Sequence, residues 1–299
     1  MDFSVFALLA AFGGGCFAAA IGGVESFVFT GIFAILGSAL SMGGVEIGGT
    51  IVGSIAFGPF FVPAVAFTGA VGAAAYAKKR GYMENGADIV TCLSTLNQAD
   101  VILVGGVVGV IGWICLQVVG AVISGPHLGT DNPGFVVFWG AVIIRLVFGG
   151  KLFTGDKFIS QGKALTNMLA MSVTFSILVA GVFCYVVNAM GADAAAGFIA
   201  NYNVFVFGIA AVGLLFACGG QGYYGHHQIF IISAFGAMKA FGATGNLMTA
   251  FIVGVIAGTC AGILNDVETC TINSGTDSHI DGPGFAIFIM TFVLIAIFG

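Results

Sequence analysis

The sequence predicts an all-α fold: a polytopic bundle of membrane helices, built from two tandem repeats of about 150 residues, with broken or re-entrant helices. Three observations predict it. Of 299 residues, 59% are hydrophobic and 7% charged, with a mean hydropathy of +1.11, whereas a soluble globular chain carries about 25% charged residues. Apolar runs follow one another with only short polar punctuation, and about 20 such residues suffice to cross a bilayer. A polar motif also recurs half a chain later. This composition excludes a water-soluble enzyme, a nucleic-acid binder and a disordered chain.

Spans are expected near 3–21, 26–42, 47–77, 101–123, 133–150, 165–188, 204–220, 247–265 and 283–298. The first lacks the basic n-region of a secretory signal and reads as a retained span. The third is too long for one crossing, and Pro59 and Pro63 after Gly58 break it, because proline removes a backbone donor and clashes with the preceding turn. Two stretches, 86–100 and 226–245, are too short or too polar to span, and are expected as re-entrant or half-membrane helices. Residues 1–150 then hold about five spans and one half-helix, and residues 151–299 about four spans and one half-helix. The 49 glycines lie inside apolar runs, where small residues let helix backbones approach closely. Seven dispersed cysteines without a CxxC pair read as isolated thiols, so neither a disulfide framework, a metal nor a cofactor is expected.

Positive charge orients the chain. Lys78, Lys79 and Arg80 form one basic loop and Lys151 and Lys157 another, flanked by Arg145 and Lys163. The positive-inside rule places both loops in the cytoplasm. Counting spans from there puts the N-terminus outside and the C-terminus in the cytoplasm of a multi-pass cell-membrane protein.

The recurring motif is SGPHLGTDNPGFVVF at 124–138 and SGTDSHIDGPGFAIF at 274–288. Ser124/Ser274, Asp131/Asp281, Pro133/Pro283, Gly134/Gly284 and Phe135/Phe285 coincide without a gap. A weaker match pairs Asn97 and VILVGGVVG with Asn246 and AFIVGVIAG. The pattern reads as a duplication. With the span count above, the repeats run parallel about an axis along the membrane normal; one span more or fewer inverts them.

Candidate functional residues come from polar groups set in apolar sequence, where unpaired charge is expensive. In each motif copy an Asp two residues before a Pro-Gly pair starts an apolar helix, as an N-cap does. Asp131 and Asp281 therefore read either as caps at an external surface or as a paired entrance of carboxylates and helix N-termini. Glu25, Asp100 and Asp266 lie inside or beside apolar segments, as do Glu46 and Glu268, with only Arg145 and Lys239 as internal bases. Such an excess fits a bound cation or exchanged protons. The glycine-broken run ACGGQGYYGHHQIF offers Gln221, His226 and His227, and the polar run LSTLNQAD offers Asn97, Gln98 and Asp100. Irregular polar backbone at membrane depth is tolerated where it lines a cavity.

The expected function is transport or conduction of a small solute or ion, coupled to a cation or proton, with the site between the repeats. The alternative is a non-catalytic membrane subunit of a larger complex. No nucleophile-and-base pattern supports an enzyme. The expected partners are a small solute or ion and the lipid bilayer, with no nucleic acid; self-association into a homo-oligomer is left open.

Overall fold

The computed structural model describes residues 1–123, 125, 127–221 and 225–299. Ser124, Gly222, Tyr223 and Tyr224, singled out in the sequence, lie outside the described residues. The described chain is helical, without a strand. Its elements are α1 (Val5–Ile21), α2 (Gly23–Met42), α3 (Ile47–Thr50) running into a π-helical turn (Ile51–Ala56), α4 (Ala66–Lys79) and α5 (Ala99–Val122). There follow α6 (Asn132–Phe148), α7 (Lys163–Met190), α8 (Ala196–Gly213), α9 (Leu215–Cys218), α10 (His227–Thr244), α11 (Leu247–Thr271) and α12 (Gly282–Phe298). Among the described residues, five helical stretches are long and apolar enough to cross a membrane: Gly23–Met42, Ala99–Val122, Lys163–Met190, Ala196–Cys218 and Leu247–Thr271.

Local chemistry sets the breaks. Gly22, at φ +111°, is the single residue that turns the chain from α1 into α2. The expected interruption at Pro59 and Pro63 is present: the helix leaves the π turn at Ala56 and resumes at Ala66. One carbonyl freed in that gap, that of Phe61, accepts from Thr30 Oγ1 at 2.7 Å.

Small residues fix the packing. α1 runs antiparallel to α5, with Gly15 against Gly105 and Ala11 against Gly109. α4 lies beside both, Gly69 touching the same point. In the second half α7 runs antiparallel to α11, with Ser176 against Gly258 and Ser172 against Gly262, and α10 packs along both. Between these groups α2 crosses α8 antiparallel, Gly31 meeting Gly208 and Met42 meeting Gly197. α6 meets α12 at the centre.

The segments leading into α6 and α12 run past opposite ends of that pair. His127 Nδ1 lies 3.3 Å from the Ala296 carbonyl and Thr130 Oγ1 donates to Phe288 O at 2.6 Å, so this segment follows the C-terminal part of α12. The segment before α12 instead follows the end of α6, where Arg145 Nε donates to Ser278 Oγ at 2.6 Å. Lys78 pairs with Asp277 at 3.1 Å at that same end.

One expectation changes. Residues 86–100 do not form a half-helix: they are loop, with one 3₁₀ turn at Leu93–Leu96 before α5 begins at Ala99. The Asp88 carboxylate accepts from the backbone of Val90 and Thr91 and from the Thr91 hydroxyl, a side-chain alternative to helical bonding. Asn97, at φ +53°, then ends the turn. Within 226–245, His227–Thr244 form the 18-residue helix α10, which is not among the stretches long and apolar enough to cross a membrane. Its Ser233 hydroxyl donates to Ser176 O on α7, so a polar residue is used inside the bundle.

Candidate functional site

α6 and α12 begin alike. Asp131 Oδ1 accepts from Gly134 N at 2.6 Å and Asp281 Oδ2 from Gly284 N at 2.6 Å, with a proline in each first turn. Asp at the N-cap satisfies an N–H the helix cannot, and proline there removes one that would be orphaned anyway. The two starts then meet. A Cβ placed on Gly134 would lie 3.2 Å from Gly284 O, and one on Gly284 would lie 3.1 Å from Gly134 O. The glycine of each PGF is what lets the backbones approach so closely.

This crossing forms one wall of a cavity of about 440 Å³. Asp131, Pro133 and Gly134 line it from α6, and Asp281, Pro283 and Gly284 from α12. His279 joins from the segment before α12, His227 from the start of α10, and Asn203 from α8. The remaining walls are largely apolar, led by Phe27, Phe57, Phe67 and Phe207. These rings hold one another in place, with centroids 5.3 Å apart for Phe27 and Phe207 and 5.2 Å for Phe57 and Phe207.

The polar groups are unequally satisfied. Asp281 pairs with His279 Nε2 at 3.2 Å. His279 Nδ1 faces the Asn273 amide at 3.4 Å, and Asn273 Oδ1 accepts from Ile280 N. An amide donor on Nδ1 leaves the ring proton on Nε2, directed at Asp281. Among the described residues, the Asp131 carboxylate has its cap bond alone. His227 packs its ring 5.0 Å from Phe27 and, among the described residues, leaves Nδ1 without a hydrogen-bond partner, as Asn203 leaves Oδ1.

Of the residues that the sequence nominated, Asp131, His227 and Asp281 come together here. Glu25 lies just off the cavity beside Gly22 and Cys218, while its neighbour Val24 lines it. The others serve elsewhere. Asp100 accepts from Tyr76 at 2.9 Å in the first turn of α5, Gln98 and Asn246 are the N-cap residues of α5 and α11, and Asn97 ends the 3₁₀ turn. Asp266 accepts from Ser160 N and Oγ, tying the connection after α6 to α11. His226 is buried against Phe175 and Phe230, and Gln221 is exposed.

Sequence reasoning missed His279 and Asn203. His279 sits two residues before Asp281 inside the repeated motif, which could have nominated it. Asn203 is a polar residue within the apolar helix α8, the signal that nominated other residues. Glu268, one of the carboxylates that the sequence places beside apolar segments, does not line the cavity. Because α11 continues to Thr271, it is buried, 1% exposed, behind the start of α12 against Gly282. Among the described residues, neither of its carboxylate oxygens has a hydrogen-bond partner. An unsatisfied buried polar group costs about 1–3 kcal/mol. Glu268→Met, of similar length and apolar, is therefore expected to raise thermal stability. A fall in melting temperature measured in detergent would show that the carboxyl is supported after all.

No curated protein and no solved structure matches this chain. Residues 1–172 match a family of unknown function, DUF7973, and since that match covers more than half of the 299 residues the chain belongs to this family.

Proposed function

We propose that the protein is an integral membrane transporter for a small solute or ion, coupled to a cation or proton, with its site in the central cavity between two repeats. One observation carries this: two helices starting inside the bundle bring their N-termini, each with its own aspartate, to a single cavity. Broken helices whose ends face a shared site between repeats are a recurrent design of secondary transporters.

The repeats are read as α1 to α6 and α7 to α12, element by element. Equivalent contacts support the reading: α1 on α5 as α7 on α11, and α4 on α6 as α10 on α12. The equivalent helices α2 and α8 run in opposite directions. Opposite directions call for an axis in the membrane plane, an inverted rather than a parallel pair. Counting α3 with α4, α9 with α10, and α6 and α12 each with the described residues that lead into it as single crossings gives five per repeat. Both termini then fall outside, in place of the cytoplasmic C-terminus that nine spans implied. Lys78, Lys79, Arg80, Lys151, Lys157 and Lys163 fall in the cytoplasm, in keeping with the positive-inside rule.

The test is uptake of a panel of labelled small solutes into proteoliposomes of the purified chain, with and without a pH or Na⁺ gradient. Gradient-dependent uptake is expected, and Asp131→Asn should abolish the dependence. Uptake indifferent to both gradients would make the protein a passive channel. No uptake by correctly inserted protein would favour a subunit of a larger complex.

A further inference from the structure

Two helix N-termini facing one cavity would ordinarily draw an anion, because their free N–H groups and dipoles favour negative charge. Here that place is taken. Each N-terminus already holds a carboxylate of its own chain, bonded to Gly134 N in one case and Gly284 N in the other. What remains unmet in the cavity is negative charge and acceptor capacity.

The groups divide clearly. Asp281 has His279 as a partner at 3.2 Å, whereas Asp131 has no basic partner among the described residues. Among the described residues, the Asn203 carbonyl oxygen and a ring nitrogen of His227, which is 9% exposed, have no hydrogen-bond partner. Both line the same cavity as Asp131. Facing them are the rings of Phe27, Phe67 and Phe207. A bare metal or alkali ion bound here would keep most of its coordination unfilled against such walls. An ammonium group brings three donors to a carboxylate and its neighbouring acceptors, and aromatic faces attract a cation while accommodating an apolar body.

We propose that the cavity binds a compact organic monocation, an ammonium head on an apolar or aromatic body, with Asp131 as its counter-ion. This rests on the cavity being the transport site. A volume of about 440 Å³ is within the range of small-molecule pockets, about 300–1,000 Å³.

The probe is phenethylammonium, compared with the near-isosteric neutral 2-phenylethanol and the anion 3-phenylpropionate, each titrated against the purified full chain in detergent. The ammonium is expected to bind at least about tenfold more tightly than the alcohol, as a charge-assisted bond to a carboxylate implies, and the anion least. Asp131→Asn keeps the helix cap, since Asn caps as well as Asp. It should weaken ammonium binding about tenfold or more while leaving alcohol binding near wild type, a change of ratio that a general loss of structure would not give. Equal or tighter binding of the alcohol or the anion would overturn the proposal. So would an unchanged ratio in Asp131→Asn, or saturable Na⁺ binding without ammonium binding. Counterflow in proteoliposomes separates this from the transport reading. Ammonium bound but never exchanged would leave the ligand class standing and remove transport; uptake of anionic or neutral solutes alone would do the reverse.

Discussion

Gly15→Leu is expected to disrupt the first helical group, whereas Gly13→Leu, two residues away on the same helix, should be tolerated. A Cβ at Gly15 would meet the carbonyl of Gly105, and neighbouring atoms of Gly105 and Gly106 leave no direction of escape. Gly69 on α4 closes in from the third side, its own Cβ position 2.9 Å from Gly15 Cα. The obstacle is backbone, so no rotamer change relieves it, and α1, α4 and α5 must separate. Overpacking costs about 1–3 kcal/mol and occasionally more; a three-helix contact of backbones belongs at or beyond the top of that range. Gly13 has nothing within 4 Å, and removing a helix-interior glycine gains up to about 1 kcal/mol of helix propensity. Fluorescence-detected gel filtration across a temperature series checks the pair. Equal melting temperatures for the two variants would mean that this crossing is not as tight as described.

Arg145→Ala should cost about 3 kcal/mol or more and release the segment before α12. Arg145 is fully buried, yet its guanidinium forms no ion pair within 4 Å among the described residues; instead it donates to Ser278 Oγ and O, to Lys151 O at 3.0 Å and to Ile272 O at 3.5 Å. Bonds to a charged group contribute about 1.5–3 kcal/mol each, and their loss strands buried carbonyls. The chain held this way, Ile272 to Ser278, leads directly to His279 and Asp281, so the cavity wall should loosen with it. Arg145→Lys should rescue only part, because an ammonium lacks the planar fork that reaches several acceptors at once. Melting temperature and proteolysis within 272–280 measure the two effects. Unchanged proteolysis with a lowered melting temperature would separate stability from positioning.

Much was legible in the chain itself. Composition alone points to the membrane class, because 7% charged residues cannot cover the surface of a soluble body of this size. Pro59 and Pro63 announce the break between the π turn and α4, and the DxPG pattern announces Asp131 and Asp281 as caps. These are local effects: a missing N–H or a carboxylate three residues from a free donor acts within one turn, so the sequence suffices to state them. Residues 86–100 mislead because Asp88 and Asn97 give the backbone local alternatives to a helix that a count of polar residues does not resolve. What only the tertiary structure decides is which ends meet. Asp131, Asn203, His227 and His279 come from four separate parts of the chain, and no spacing relates them. They converge because Gly134 and Gly284, like Gly31 and Gly208, permit backbone contact between helices far apart in sequence. Asp100 and Asp266, just as polar in sequence, are instead satisfied by Tyr76 and Ser160 away from the cavity. A residue's polarity is written in the chain, but whether that polarity is paired or left facing a cavity is fixed by close packing of distant helices.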